Sequence, residues 1–196
     1  MIKGIKALGM NMEASRGNNM VYELNKEYTH DGDVKYGQSG YHYFNSIRDV
    51  MYMYHLNESR LFECELNGDE FDHDRIVHCT NKIQLIREIS KEEITKYIED
   101  NLDILVNDEH WNVRREVAIQ GYCLDKLIND KHWYVRCEVA KQGYGLDKLV
   151  NDKVWIVRRE VAKHGYGLDI LVNDDEEDVR REALKQLEEL RNNKEN

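Results

Sequence analysis

Between residues 102 and 187 the chain repeats itself every 22 residues. LDILVNDEHWNVRREVAIQGYC is followed by LDKLINDKHWYVRCEVAKQGYG, LDKLVNDKVWIVRREVAKHGYG and LDILVNDDEEDVRREALKQL, and the second and third copies agree at 17 of 22 positions. A fixed period of this length marks a solenoid, whose units cannot bury an apolar face alone and stack on their neighbours. The expectation is a short right-handed α-helical solenoid of four 22-residue repeats over residues 102–190, with a frayed tail at 191–196.

Each copy opens with an apolar turn, LDxL(V/I), continues through Asn-Asp into a longer helix, and in its fullest form ends in Gly-Tyr-Gly. Asp108, Asp130, Asp152 and Asp174 stand where N-caps belong, and the first helix has room for only one or two turns. On a helical wheel Arg114 falls inside the apolar arc marked by Val113, Val117 and Ala118, and Arg136, Arg158 and Arg180 do the same in their copies. An unpaired guanidinium buried there costs several kcal/mol. The aspartates six residues upstream, in the same repeat or the next, are the natural acceptors. A ladder of Asp108–Arg114, Asp130–Arg136, Asp152–Arg158 and Asp174–Arg180 is therefore expected through the stack.

The spacing D-x-x-W-x-V-R-x-x-V-A, kept in register through the copies, resembles HEAT-type repeats and especially the shorter leucine-rich-repeat variant class. The resemblance implies stacked helices presenting an interaction surface. Variant repeats of that class usually run slightly longer and often carry Asn-Pro after the helix. Gly-Tyr-Gly takes that place here, so the class curvature does not carry over.

On the outward stripe, Asn112, Tyr134 and Ile156 vary while Glu116, Glu138, Glu160 and Glu182 are uniform. Uniform Glu rows with Lys141 and Lys163 read as a solvated face held by i, i+3 pairs. The candidate binding residues are Asn112, Tyr134, Ile156, Arg115, Arg159, Lys141 and Lys163, because exposed apolar and aromatic groups beside arginine suit interfaces. Trp111, Trp133 and Trp155 could stack on bases or sugars; a tryptophan bordering the apolar arc of every repeat reads better as inter-repeat core. In the fourth copy Glu177 replaces it, the expected look of a terminal cap.

Residues 1–89 lack the repeat and alternate in short strand-like runs: 2–8, MVYELNKEYTH, VKYG, GYHYF, RLFECELN, RIVHC and KIQLIREI. Asp31-Gly32-Asp33 signals a hairpin, and Ile47, Val50, Met51 and Tyr54 fall on one helical face. The fold class is α+β: a small mixed α/β head over 1–89, a capping-box helix over 90–101 serving as adaptor, and then the solenoid. His73, His78 and Cys79 with Cys64 invite a metal, but the spacing matches no standard zinc pattern. Ordinary packing histidines are the simpler reading, and no metal site is assigned. Tyr36, Tyr41, Tyr43, Tyr52 and Tyr54 read as amphipathic core filler or as a pocket lining.

The order strand, hairpin, GYHYFNSIRDVMYMY, RLFECELNGDE resembles an uncharacterised domain of phage and prophage proteins, carried by Gly40-Tyr41-His42 and Asp49. A fainter likeness joins the region to ADP-ribosyltransferase folds, which implies an NAD-holding Arg or His on the first strand and a late catalytic Glu. Lys3 and Lys6 occupy that strand, and Glu88 is the nominal acid. No catalytic residue and no cofactor is assigned.

Net charge is −10, and both halves are acidic, with 10 Lys+Arg against 14 Asp+Glu through residue 88 and 18 against 24 beyond it. Such a balance weighs against nucleic-acid binding, although an acidic surface can imitate nucleic acid. The four cysteines form no CxxC, and no apolar run approaches a membrane span, so a cytoplasmic protein is expected. The reading is a non-enzymatic protein-protein interaction module, phage-encoded and acting on a host protein such as a defence component. An ADP-ribosyltransferase-like head guided by the solenoid, or nucleic-acid binding or mimicry by the solenoid, is the alternative.

Overall fold

The computed structural model describes residues 2–14, 20–34, 39–72 and 76–192. The chain divides into two compact units, Met1–Asn101 and Leu102–Asn196. His73 of the expected metal group, Tyr36 of the expected tyrosine set and residues 193–196 of the expected frayed tail lie outside the described residues.

In the first unit β1 (Ile2–Leu8), β4 (Arg60–Leu66), β7 (Lys82–Glu88) and β2 (Glu27–Thr29) form an antiparallel sheet in the order β1-β4-β7-β2. A second antiparallel sheet runs β3-β6-β5, from β3 (Tyr41–Tyr43), β5 (Glu70–Asp72) and β6 (His78–Thr80). Alternation sets what is buried: along β4, Leu66, Cys64 and Phe62 turn inward, where they meet Leu8, Ile83, Leu85 and the tyrosines Tyr22, Tyr28 and Tyr43. Beyond Asp31-Gly32, the far arm of the expected hairpin at 35–38 is outside the described residues; β2 itself pairs with β7.

Helix α1 (Ile47–Met53) starts where Ser46 Oγ accepts from the Asp49 backbone, and Ile47, Val50 and Met51 are its buried face. Helix α2 (Lys91–Asp100) carries the capping box: Ser90 Oγ accepts from Glu93 N and the Glu93 carboxylate accepts from Ser90 N. Arg87 adds a two-pronged ion pair to the same carboxylate. Glu93 is thereby held at about 2, by Arg87 first and the Ser90 backbone second.

The second unit holds eight helices among the described residues. Four are four-residue turns: α3 (Leu102–Leu105), α5 (Leu124–Leu127), α7 (Leu146–Leu149) and α9 (Leu168–Leu171). They alternate with the nine-residue α4 (Trp111–Ile119), α6 (Trp133–Lys141) and α8 (Trp155–Lys163), then α10 (Glu177–Asn192) of 16 residues. The architecture is thus mixed α/β, antiparallel strands followed by a helical solenoid. Val113, Val117, Ala118 and their counterparts one and two repeats on are 0% exposed, so each repeat is closed by its neighbours. No helix among the described residues is long and apolar enough to cross a membrane.

The long helices begin at Trp111, Trp133 and Trp155, three residues after the aspartates that the sequence places at the N-caps. The cap residues are His110, His132 and Val154, none with a capping side chain. The aspartate instead accepts from the backbone N–H two residues on, at 2.9, 2.8, 2.9 and 2.9 Å for His110, His132, Val154 and Glu176. A side chain that closes a turn onto the residue two ahead starts an Asx turn, which delivers the chain to the helix rather than capping it.

Candidate interaction face of the solenoid

The arginines inside the apolar arc position everything on this face. Arg136 Nη1 donates to the backbone carbonyl of Asp130 in its own repeat at 2.8 Å. Its Nε and Nη2 donate to the two carboxylate oxygens of Asp152 in the next repeat at 2.6 and 2.8 Å. Arg114 treats Asp108 and Asp130 in the same way, and Arg158 treats Asp152 and Asp174 so, with a further bond to Asp175. Side chains of the Arg136–Asp152 pair are only 8% and 6% exposed. Asp130, Asp152 and Asp174 each therefore link three things: their own turn, their own arginine through the carbonyl, and the preceding repeat's arginine through the carboxylate. Arg180 donates to the Asp174 carbonyl and meets no carboxylate among the described residues.

Next to the ladder arginines, Arg115 and Arg159 reach over aromatic rings, whereas Cys137 at the same position of the middle repeat is buried. Arg115 lies over the Trp111 ring at 6.0 Å and over the Tyr134 ring of the following repeat at 5.7 Å. Trp111 stacks on His132 at 4.3 Å and on Tyr134 at 5.0 Å, with interplanar angles of 7° and 14°. Trp133 lies against the other side of the set, 3.6 Å from Tyr134. Tyr134 is 40% exposed, so the stack ends in solvent. One repeat on, Arg159 lies 5.2 Å from the Trp155 ring.

The uniform glutamates are not a solvated face. Glu116, Glu138 and Glu160 are 2%, 7% and 6% exposed. Burial of Glu138 and Glu160 is tolerable because cations reach over them: Glu138 accepts from Arg115 of the previous repeat at 3.3 Å and from Lys141 at 3.0 Å, and Glu160 accepts from Lys163 at 2.8 Å. Burial is the largest single influence on the Lys141 ammonium and works against it, but the Glu138 bond and the nearby charges of Glu138 and Glu160 together outweigh it and its pKa is raised. What faces solvent is then the cationic layer, with Lys141 and Lys163 side chains 46% and 44% exposed.

Of the sequence candidates, Tyr134, Arg115 and Lys141 come together around Glu138, and Arg159 and Lys163 around Glu160. Asn112 and Ile156 hold the Tyr134 position in their repeats, are half-buried and take no part in the ring stack. Sequence reasoning missed His132, whose Nδ1 is buried without a hydrogen-bond partner among the described residues, as is Arg159 Nε. Burial lowers the His132 pKa against the pull of Asp130. The signal was present in the sequence: His110 and His132 precede successive tryptophans in register.

In the first unit Glu88 is held by Arg60 in a two-pronged ion pair at 2.9 and 2.6 Å, which keeps its carboxyl below the usual range. Lys3 is exposed, whereas Lys6 is buried, with its ammonium on the His42 carbonyl at 2.7 Å. His78 is buried against the Tyr43 ring and lies 2.8 Å from Asn45 Nδ2, while Cys64 and Cys79 are buried and in no disulfide among the described residues. Among the described residues no group of three or more His, Cys, Asp or Glu could hold a metal ion. Tyr43 is core, and Tyr41, Tyr52 and Tyr54 are half-buried.

No curated protein matches the chain, and no solved structure does. Residues 2–97 match the family model of a domain of unknown function (DUF7666), an uncharacterised domain at the N-terminus of this chain.

Proposed function

We propose that the chain is a non-enzymatic protein-binding module whose contact surface is the aromatic and cationic face of the second unit. The observation that carries this reading is the Trp111–His132–Tyr134 stack under Arg115, open to solvent at Tyr134. Aromatic rings and arginine on a rigid scaffold are the composition of interface hot spots, because they bury much area for little lost conformational entropy. A phage source and a host protein as target, a defence component among them, follow from the head's likeness to phage and prophage domains.

Nucleic-acid binding along Arg159, Lys141 and Lys163 is the weaker alternative. Those cations spend their charge on Glu138 and Glu160, and phosphate binding needs cations free to displace counterions. Affinity capture from a bacterial host lysate with the full chain, followed by mass spectrometry, tests the reading. A protein retained by the wild type and lost on Tyr134→Ala with Arg115→Ala is expected. Retention untouched by both substitutions would move the contact elsewhere.

A further inference from the structure

Beyond the last rung, α10 exposes one leucine, ringed by charges, at the position where the earlier repeats bury an alanine. Along the solenoid, Ala118, Ala140 and Ala162 lie one turn after the ladder arginines, on the side that the following repeat covers, and all are 0% exposed. Leu184 occupies that position after Arg180 and is 52% exposed. Val179 and Ala183, on the inward side, are fully buried. Arg180 meanwhile keeps its carbonyl bond to Asp174 and has no carboxylate beyond it among the described residues.

The charges flanking Leu184 are symmetric about it. Four residues before it stands Arg180 and four after it Glu188; seven before stands Glu177 and seven after Arg191. Residues at i±4 and i±7 share one helical face. We infer that a second copy of this chain covers the face, its α10 antiparallel to the first about a two-fold axis at Leu184. Leu184 then meets Leu184 of the second copy, Arg180 meets its Glu188, and Glu177 meets its Arg191, each twice by symmetry. Arg180 gains the carboxylate that Arg114, Arg136 and Arg158 already have. A parallel pairing would set like charge on like charge, so the pattern selects the antiparallel one. The proposal is independent of the Tyr134 face.

One helix of 16 residues offers less than the ~800 Å² per partner of a standard interface, so the dimer is weak, with Kd of order 10–100 µM. Sedimentation velocity of the full chain from about 1 to 500 µM, spanning that range, should show a reversible monomer–dimer equilibrium. Leu184→Glu should raise Kd at least tenfold. Glu177→Arg alone should weaken the dimer several-fold, and Glu177→Arg with Arg191→Glu should restore it. All three side chains are exposed, so the variants should keep the wild-type circular dichroism, and Glu177→Arg, which loses its pair with Arg181 one turn on, should lower the melting only slightly. A chain that is monomeric throughout the range, or a dimer indifferent to Leu184→Glu or not restored by the charge swap, overturns the proposal and leaves the face to a different protein.

Discussion

Arg136 grips the Asp152 carboxylate of the following repeat with two nitrogens while its third holds the carbonyl of Asp130 in its own. The repeat boundary is thus crossed by a buried ion pair, repeated in register. Removing one member strands the other in a nearly dry setting, at a cost of about 3–5 kcal/mol, whereas replacing both by apolar residues of similar volume is close to neutral. Asp152→Ala should lower solenoid stability by that amount, and Arg136→Met with Asp152→Leu should recover most of it. All three tryptophans lie in the repeats, so urea denaturation followed by tryptophan fluorescence reads this unit alone. Additive losses in the double variant would mean that the pair is not coupled.

The last rung makes the acid limb of stability predictable. Arg158, acting against burial, brings the Asp174 carboxyl from its ordinary 3.8 to about 2. A depressed carboxylate stabilises the fold above its unfolded pKa, and that stabilisation fades as pH falls through the folded one. Solenoid stability should therefore drop between about pH 4 and 2. Asp174→Asn should be less stable at pH 7 and flatter through that window. An unchanged slope would remove Asp174 from the acid transition.

How the repeat stacks was legible; what its surface offers was less so. Asp, Val-Arg and Val-Ala recur in register, so a buried arginine in need of an acceptor followed from one wheel and one energy argument. The expected pairs Asp108–Arg114, Asp130–Arg136, Asp152–Arg158 and Asp174–Arg180 meet only through the backbone carbonyl, while the carboxylates of Asp130, Asp152 and Asp174 grip the preceding repeat's arginine. The glutamate row was misread because a wheel contains a single helix: Glu138 is covered partly by Arg115 of the previous repeat, which no wheel shows. Asp108 looked like a cap because Asx turns and N-caps share their residue types. In the head, the alternation of β4 and β7 was readable, but the order β1-β4-β7-β2 joins strands far apart in sequence, and periodicity carries no partner information.

Burial of Lys6 lowers its ammonium from 10.5 to about 8, against a small upward pull from Cys64 and Cys79. Here the sign is the reverse of the carboxylate case: below pH 8 the charged form burdens the fold, and between about 8 and 10.5 the folded chain has shed a proton that the unfolded chain still holds. Lys6→Met should stabilise the head at pH 7 by about 1–3 kcal/mol after allowing for the lost bond to the His42 carbonyl. The advantage should shrink as pH rises across that window. Calorimetry on both proteins would show it, and a pH-independent difference would contradict it.

Gly145 and Gly167 enter the short helices with φ of 61° and 62°, and Cys123 does so with φ of 52°. A Cβ at Gly167 would also come within 2.6 Å of Val150 Cγ2. Gly167→Ala should cost about 1–2 kcal/mol, while Cys123→Gly should be neutral or stabilising by up to about 1 kcal/mol. Equal effects of the two changes in thermal denaturation would show that this turn is not strained.

If the ring-and-arginine face of the repeats makes the contact, hydrogen–deuterium exchange on the full chain with its captured protein reads that face directly. Exchange should slow in residues 110–119 and 131–141, around Trp111, His132 and Tyr134, with residues 2–97 unchanged. Protection confined to residues 2–97 would contradict it and assign recognition to the head.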